Sequence, residues 1–221
     1  MTVPRQPAAR SADRGIVRAQ PADTGVLSQV IANAFTDLAP CHWLIGDPDA
    51  RRAILPGYFQ MHVEHAMADG AVYTTAGRTC TALWVPAGSD GPGQPGGYGA
   101  RLAQVTGRWA ERFAVFDQEL EAHHLTGVAH HHLAILAVRP DRQGQGLGTA
   151  LLDAHHATLD RGGIAAYLEA SDERTRGLYL RHGYVDYGSP IQLPGGPRMY
   201  PMWRPARRGE HGRGTTAAMR M

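Results

Sequence analysis

The sequence predicts an α/β (α+β) chain built on one mixed sheet, and three observations carry that expectation. Short apolar runs alternate with amphipathic stretches over most of the chain. One run, LAILAV at 133–138, passes through a glycine-rich turn directly into a helix pattern, the junction expected where a strand feeds a helix in such folds. The chain is also long enough, at 221 residues, to bury a full core without disulfides.

The elements follow in order. Residues 1–14 are polar and rich in Pro and Ala, residues 206–221 show no periodicity, and both are expected to be disordered tails around a single domain at 15–205. A short strand is expected over 16–19. From Asp23, residues Val26, Val30, Ala34 and Phe35 recur at helix spacing. A second helix is expected over 49–68, with Ile54, Tyr58, Met61 and His65 on one face and Pro56 obscuring its start. AVYTTA and TCTALWV, separated by Gly-Arg, read as a hairpin. The segment PAGSDGPGQPGGYGA at 86–100 is too rich in breakers to form a regular element. Then come a helix over 101–121, a buried strand over 132–138 and a helix over 148–160 presenting Leu147, Leu151, Ala154 and Thr158. A strand over 164–170 and a helix over 173–182 follow, and a strand over 199–203 closes the sheet.

Composition removes several function classes. All 22 basic residues are Arg, the net charge is only +2, and the sole cluster is Arg204, Arg207 and Arg208, so no nucleic-acid partner is expected. No run approaches the length of a membrane span, and MTVPRQPAARSADRG lacks the apolar segment of a signal peptide. A cytoplasmic protein with no membrane partner is expected. Cys41 and Cys80 read as free thiols. No HExxH or closely spaced Cys/His set occurs, and the adjacent His155 and His156 point different ways on a helix, so no metal is expected.

The junction itself is chemically informative. Gly144, Gly146 and Gly148 permit positive φ and close approach of a ligand to the main chain. The unpaired N–H groups opening the next helix favour an anion, most often phosphate. A Walker A loop requires a Lys, which the chain lacks altogether. The dinucleotide fingerprint fails at its third glycine, where Thr149 stands. A connector with no ligand is the remaining alternative from the glycines alone.

The run VRPDRQGQGLG resembles motif A of the GCN5-related N-acetyltransferase (GNAT) superfamily, with Gln143, Gly146 and Gly148 on the pattern. YLEASDERTRGLYLRHGY resembles that family's motif B, with Tyr179 four residues before the pair Gly183 and Tyr184. Together they cover about 130–188. Within the superfamily, the LEAS stretch and the PGGPR turn at 194–198 are similar to puromycin N-acetyltransferase-like members. The resemblance implies a strongly bent mixed sheet of about seven strands flanked by helices. It also implies an acetyl-CoA co-substrate whose pantetheine lies beside Leu136, Ala137 and Val138. The loop Gln143, Gly144, Gln145, Gly146, Leu147, Gly148 and Thr149 would then surround the pyrophosphate.

The resemblance further implies Tyr179 as the proton donor to the departing sulfur; its plainer role is core packing. For the base, two candidates stand. His132 lies where some family members keep one of two relay histidines, with Ala134 at the place of the other, and an ordinary His titrates near neutrality. Glu169, on the following strand, is the competing carboxylate. Their plainer roles are a solvated strand edge and an ordinary ion pair. Asp172 stands where the family often has an Asn touching the cofactor; it caps a helix equally well.

The expected activity is direct acetyl transfer to an amine of a small molecule, with an antibiotic or other natural product as acceptor, by a monomer or homodimer. The alternatives are a protein or peptide N-acetyltransferase and a non-catalytic acyl-CoA sensor. Acceptor choice is expected to fall to 41–70, which offers Trp43, Tyr58, Phe59 and Met61, with 86–100 as a lid.

Overall fold

The computed structural model describes residues 15–207 apart from 90 and 92. The expected tails at 1–14 and from 208 onward lie outside the described residues. Strand β1 (Ile16–Arg18) leads to α1 (Thr24–Phe35), the short α2 (Ala39–Leu44) and the long α3 (Pro48–Asp69). The hairpin β2 (Ala71–Thr75) and β3 (Cys80–Ala87) comes next, then α4 (Tyr98–Thr106), α5 (Ala110–His123) and β4 (His130–Val138). The chain finishes with α6 (Leu147–Gly162), β5 (Ala165–Ala170), α7 (Glu173–Arg181), β6 (Val185–Asp186), β7 (Ile191–Gln192) and β8 (Arg198–Arg204).

The sheet has eight strands in the order β1-β2-β3-β4-β5-β8-β6, with β7 paired to β8. Only β4 and β5 run parallel; the other pairs are antiparallel. This is the expected mixed sheet, with β6 and β7 added. Each of those is two residues long, too short to show a period in sequence.

Both faces of the sheet are covered. On one, Leu83, Val85 and Ile135 pack against Leu27 and Ile31 of α1 and Leu55, Tyr58 and Met61 of α3. On the other, Ala82, Trp84, Leu133 and Leu168 pack against Leu147, Leu151, Leu152 and Leu159 of α6 and Tyr179 of α7. Alternate residues of β3 serve opposite faces, which is why TCTALWV is apolar throughout.

Several helix expectations need correction. Helix α3 begins at Pro48, where the Asp47 carboxylate accepts the N–H groups of Asp49 and Ala50 at 2.9 Å each. It then runs straight through Pro56, the lost hydrogen bond being offset by the burial of Leu55, Tyr58 and Phe59. The single helix expected over 101–121 is two, because Gly107 turns to a φ of +55° and a 3-10 turn follows. In α1 the buried face is Leu27, Val30 and Ile31, and Val26 is 46% exposed. In α6 Thr158 is exposed and Ala154 half-buried, whereas His155 and His156 are buried. Both histidines go inside because the opposite face of the sheet supplies partners: His155 stacks on Trp84 at 4.3 Å and meets His131 at 2.9 Å, and His156 bonds the Tyr184 hydroxyl at 3.0 Å.

Guanidinium groups clamp the periphery. Arg78 pairs with Asp23 at 2.9 Å, Arg101 with Glu64 at 2.6 Å, Arg176 with Asp186 at 2.6 Å and the buried Arg204 with Asp160 at 2.7 Å. Among the described residues no helix is long and apolar enough to cross a membrane.

Candidate active site

Strand β4 pairs with β3 along its whole length, but with β5 only at His130, His131 and His132, opposite Ala165, Ala166 and Tyr167. Beyond His132 the two parallel strands part and leave a cleft between them. The parting coincides with a bulge: Leu83 stands opposite Ile135 and Trp84 opposite Leu133, so Ala134 is the extra residue. Such an insertion bends a strand and re-aims its side chains.

At the mouth of the cleft lies the glycine loop. Gly144 and Gly146 have φ of +73° and +81°, and Gly146 is the N-cap of α6. A Cβ at either position would meet nothing within 4 Å. Glycine is therefore required by backbone conformation, and the space before the main chain is open to an incoming group. The first intrahelical bond runs from Ala150 N–H to the Gly146 carbonyl at 3.0 Å, so the amides from Gly144 to Thr149 can meet an anion, whereas the Gln143 N–H already donates to the Pro140 carbonyl at 3.4 Å. At Gly148 a Cβ would touch Leu136 at 3.8 Å, ordinary packing.

A cavity of about 670 Å³ joins this loop to the remaining expected residues. Leu136, Val138, Gln143, Gly144, Gly146, Leu147, Gly148 and Thr149 line it, as do His132, Glu169 and Tyr179. Two expected residues turn elsewhere. Ala137 is 2% exposed in the core on the α1 and α3 side, as strand alternation beside Leu136 demands. Gln145 is exposed, its side-chain amide donating to the Asp141 carbonyl at 3.3 Å.

The two candidate bases form one unit. His132 Nε2 lies 2.8 Å from Glu169 Oε2, although the residues come from neighbouring strands and are far apart in sequence. Both side chains are largely buried. Burial pushes the Glu169 carboxyl up, but the adjacent His132 and His124 outweigh it and hold it down to about 2. His124, just past the end of α5, brings Nδ1 to 3.5 Å from Glu169 Oε1. Tyr167 packs edge-on against His124 at 4.4 Å and walls the cluster from behind. Burial raises the Tyr179 hydroxyl above its ordinary value, so it remains protonated and able to donate. Asp172 does cap α7, accepting the Thr175 N–H at 2.7 Å, and its side chain also lines the cavity.

The residues expected at the acceptor end depart from expectation in one place. Tyr58, Phe59 and Met61 line the cavity, but Trp43 does not: its indole N–H donates to the Pro194 carbonyl at 2.9 Å and its ring packs on the turn at Gly196. The expected lid contributes Gly91, Gly93, Gln94, Pro95 and Tyr98. Tyr98, the end of that expected lid, shares a 2.9 Å side-chain hydrogen bond with Asp117, a residue of this wall that escaped the sequence reading. Burial pushes Asp117 up to about 6. His124 escaped it too. The doublet His123-His124 before the triplet at 130–132 was the available signal, and only the fold shows which of them meets Glu169.

Residues 97–186, from the loop before α4 to β6, match the family profile of the acetyltransferase (GNAT) domain. Over that stretch the chain is similar to the GNAT acetyltransferase domain. GNAT acetyltransferases use acetyl-CoA as co-substrate. A histone acetyltransferase HPA2 and related acetyltransferase from Corynebacterium glutamicum is similar to this chain with a TM-score of 0.66 and 26% identity, over 88% of this chain and 97% of that one. Arylalkylamine N-acetyltransferase 2 from Aedes aegypti superposes with a TM-score of 0.55 at 11% identity, over 87% and 99% of the two chains. A polyamine N-acetyltransferase from Drosophila melanogaster gives 0.52 at 13%, over 86% and 97%. These last two share the fold. The profile match holds the glycine loop, Glu169 and Tyr179, and also Tyr98 and Asp117; the cavity-lining residues of α1–α3 lie before it.

Proposed function

We propose that this GNAT domain transfers acetyl from acetyl-CoA directly to an amine of a small molecule, with no covalent enzyme intermediate. The observation that carries the reading is the cavity, in which the cleft between β4 and β5, the open glycine loop, the His132–Glu169 pair and Tyr179 share one space. The residues suit the co-substrate. The glycine-loop amides meet the pyrophosphate, Arg142, Arg174 and Arg181 of the cavity wall add positive charge, and the β4 edge beyond His132 offers main-chain groups to pantetheine. Acetyl-CoA supplies the activated acyl group as a thioester.

The chain's own residues move the protons. His132 donates from Nε2 to the Glu169 carboxylate, which leaves Nδ1 as its basic atom. It takes the proton that the amine gives up as the nitrogen–carbon bond forms, and Glu169 stabilises the resulting imidazolium. Glu169 is held too acidic to take that proton itself. Tyr179 gives its hydroxyl proton to the sulfur as the carbon–sulfur bond breaks. The loop at 93–95 and the aromatic wall of Tyr58, Phe59 and Tyr98 enclose the acceptor end, which favours a compact amine with apolar bulk over an extended peptide. An amine-bearing natural product, antibiotics included, satisfies that shape, and the LEAS and PGGPR likeness supports the same subclass.

The test is coenzyme A release from acetyl-CoA with a panel of aryl amines, aminonucleosides, aminoglycosides and unbiased peptides, with the acetylated product identified by mass. Turnover is expected on small amines. Robust acetylation of peptides with none on the small amines would establish the protein-acetyltransferase alternative, and binding of acetyl-CoA without turnover on any acceptor would establish a sensor.

A further inference from the structure

The histidines around Glu169 are organised beyond what proton transfer to His132 requires. One ring nitrogen each of His124 and His132 and a carboxylate oxygen of Glu169 lie within 4.8 Å of one another. The side chains are 6%, 14% and 6% exposed, so the three groups face one another in a largely dry corner of the cavity.

The hydrogen bonds around His124 fix which of its atoms faces the carboxylate. His130 donates from Nδ1 to the Val128 carbonyl at 2.8 Å, which makes its Nε2 an acceptor. His124 then donates from Nε2 to that atom at 3.2 Å. In the neutral ring, the form a metal requires, Nδ1 then carries a lone pair directed at Glu169 Oε1 from 3.5 Å, whereas the protonated ring donates there. Glu169 Oε1 is buried and has no hydrogen-bond partner. In that neutral form two electron-pair donors face each other across a gap that a cation would fill. The outward ring nitrogen of His124, tied to a fixed acceptor, is the arrangement that orients a histidine for metal ligation.

We propose that His124, His132 and Glu169 bind a divalent transition metal of zinc type, and that the bound metal inhibits the acetyltransferase by engaging the His132–Glu169 pair and occupying the acceptor end of the cavity. Two imidazoles and a carboxylate suit Zn²⁺ or Co²⁺ and not Mg²⁺ or Ca²⁺, which prefer all-oxygen sites. Ligation requires only small side-chain movements to bring the donors to about 2.0–2.2 Å from a common centre. On binding, His132 exchanges its Nε2–H···carboxylate bond for a metal bond, and the displaced proton moves to the other ring nitrogen or to solvent. The fourth position opens to the cavity, where water or an amine can take it.

Co²⁺ is the probe, since its visible absorption reports nitrogen and oxygen ligation in the absence of any acyl transfer. Titration of the full chain, freed of metal by chelator, is expected to give a saturable band at one equivalent that Zn²⁺ displaces. Glu169→Gln, which keeps the side-chain shape, and His124→Ala should each weaken binding by at least tenfold, with circular dichroism confirming that both variants fold. His182→Ala, in a second group with Asp153 and His156 between the middle of α6 and the end of α7, should leave the band unchanged. Absence of a saturable band, or a band that survives in both Glu169→Gln and His124→Ala, overturns the proposal. So does loss of the band in His182→Ala alone, which places the metal at the other group. Acetyl transfer is scored separately, on the chelator-treated protein: no transfer there, with Co²⁺ still bound on titration, refutes the catalytic reading only, and a protein that is active but binds no Co²⁺, or keeps its activity with Co²⁺ bound, refutes this one only.

Discussion

At the residue scale the site reduces to a few side chains with distinct duties. Tyr179→Phe keeps the ring in its buried place and removes the proton donor, so kcat should fall about 10²-fold while acetyl-CoA affinity stays unchanged. Steady-state kinetics with calorimetry decides it, and wild-type turnover would leave Tyr179 as packing alone. Because His132 and Glu169 share a 2.8 Å contact, His132→Ala and Glu169→Gln should each cost about 10²-fold in kcat/KM, and the double variant little more than either. Additive losses would mean that they act separately. Both residues were visible in the sequence as candidates, but as rivals. That they touch depends on parallel strands far apart along the chain, and the presence of His124 beside them depends on where α5 ends. Trp43 failed in the opposite direction: an aromatic in the right segment looked like a pocket wall, and the turn at Gly196 took it for packing.

At the scale of elements, the strand–loop–helix unit of β4, the glycine turn and α6 was legible because each part has a local signature: an apolar run, positive-φ glycines and amphipathic spacing. The face of α6 was not legible in full, since burying His155 and His156 depends on hydroxyls and rings supplied by β2, β3 and the chain beyond α7. The loop makes a prediction of its own. Gly146→Ala forces a Cβ into a left-handed conformation at a cost of about 1–2 kcal/mol in stability, with no clash against the protein. Gly146→Asp adds a negative charge where the pyrophosphate is to sit, and acetyl-CoA binding measured by calorimetry should fall below detection while the variant still unfolds cooperatively. Undiminished binding by Gly146→Asp would remove the loop from the co-substrate site.

At the scale of the whole molecule, the histidines set the acid limit of the fold. Burial first, then neighbouring charges, hold His155 and His156 down to about 3, and His62, half-buried in the cavity wall, down to about 4. A group whose pKa is lower when folded than when unfolded stabilises the native state above its unfolded pKa, near 6.5 for His, and loses that contribution as pH falls. Urea midpoints should therefore decline from about pH 6.5 downward, before the ordinary carboxylates begin to titrate; Asp117, raised to about 6, protonates in the same range and offsets part of the decline. His156→Gln, which retains a side-chain amide to meet the Tyr184 hydroxyl, should flatten the slope; a midpoint independent of pH down to about 4.5 would contradict this account.

The guanidinium clamps have one more consequence. Arg78, Arg101, Arg176 and Arg204 hold the periphery through groups that stay protonated at any working pH and carry no nucleophilic lone pair. Lysine, which would have served in surface pairs of this kind, occurs nowhere in the sequence. Under the proposed function, the protein would handle a reactive thioester while presenting no ε-amine of its own. Its side chains offer no such site for self-acylation, and its charge pattern is indifferent to the acyl donor it works with.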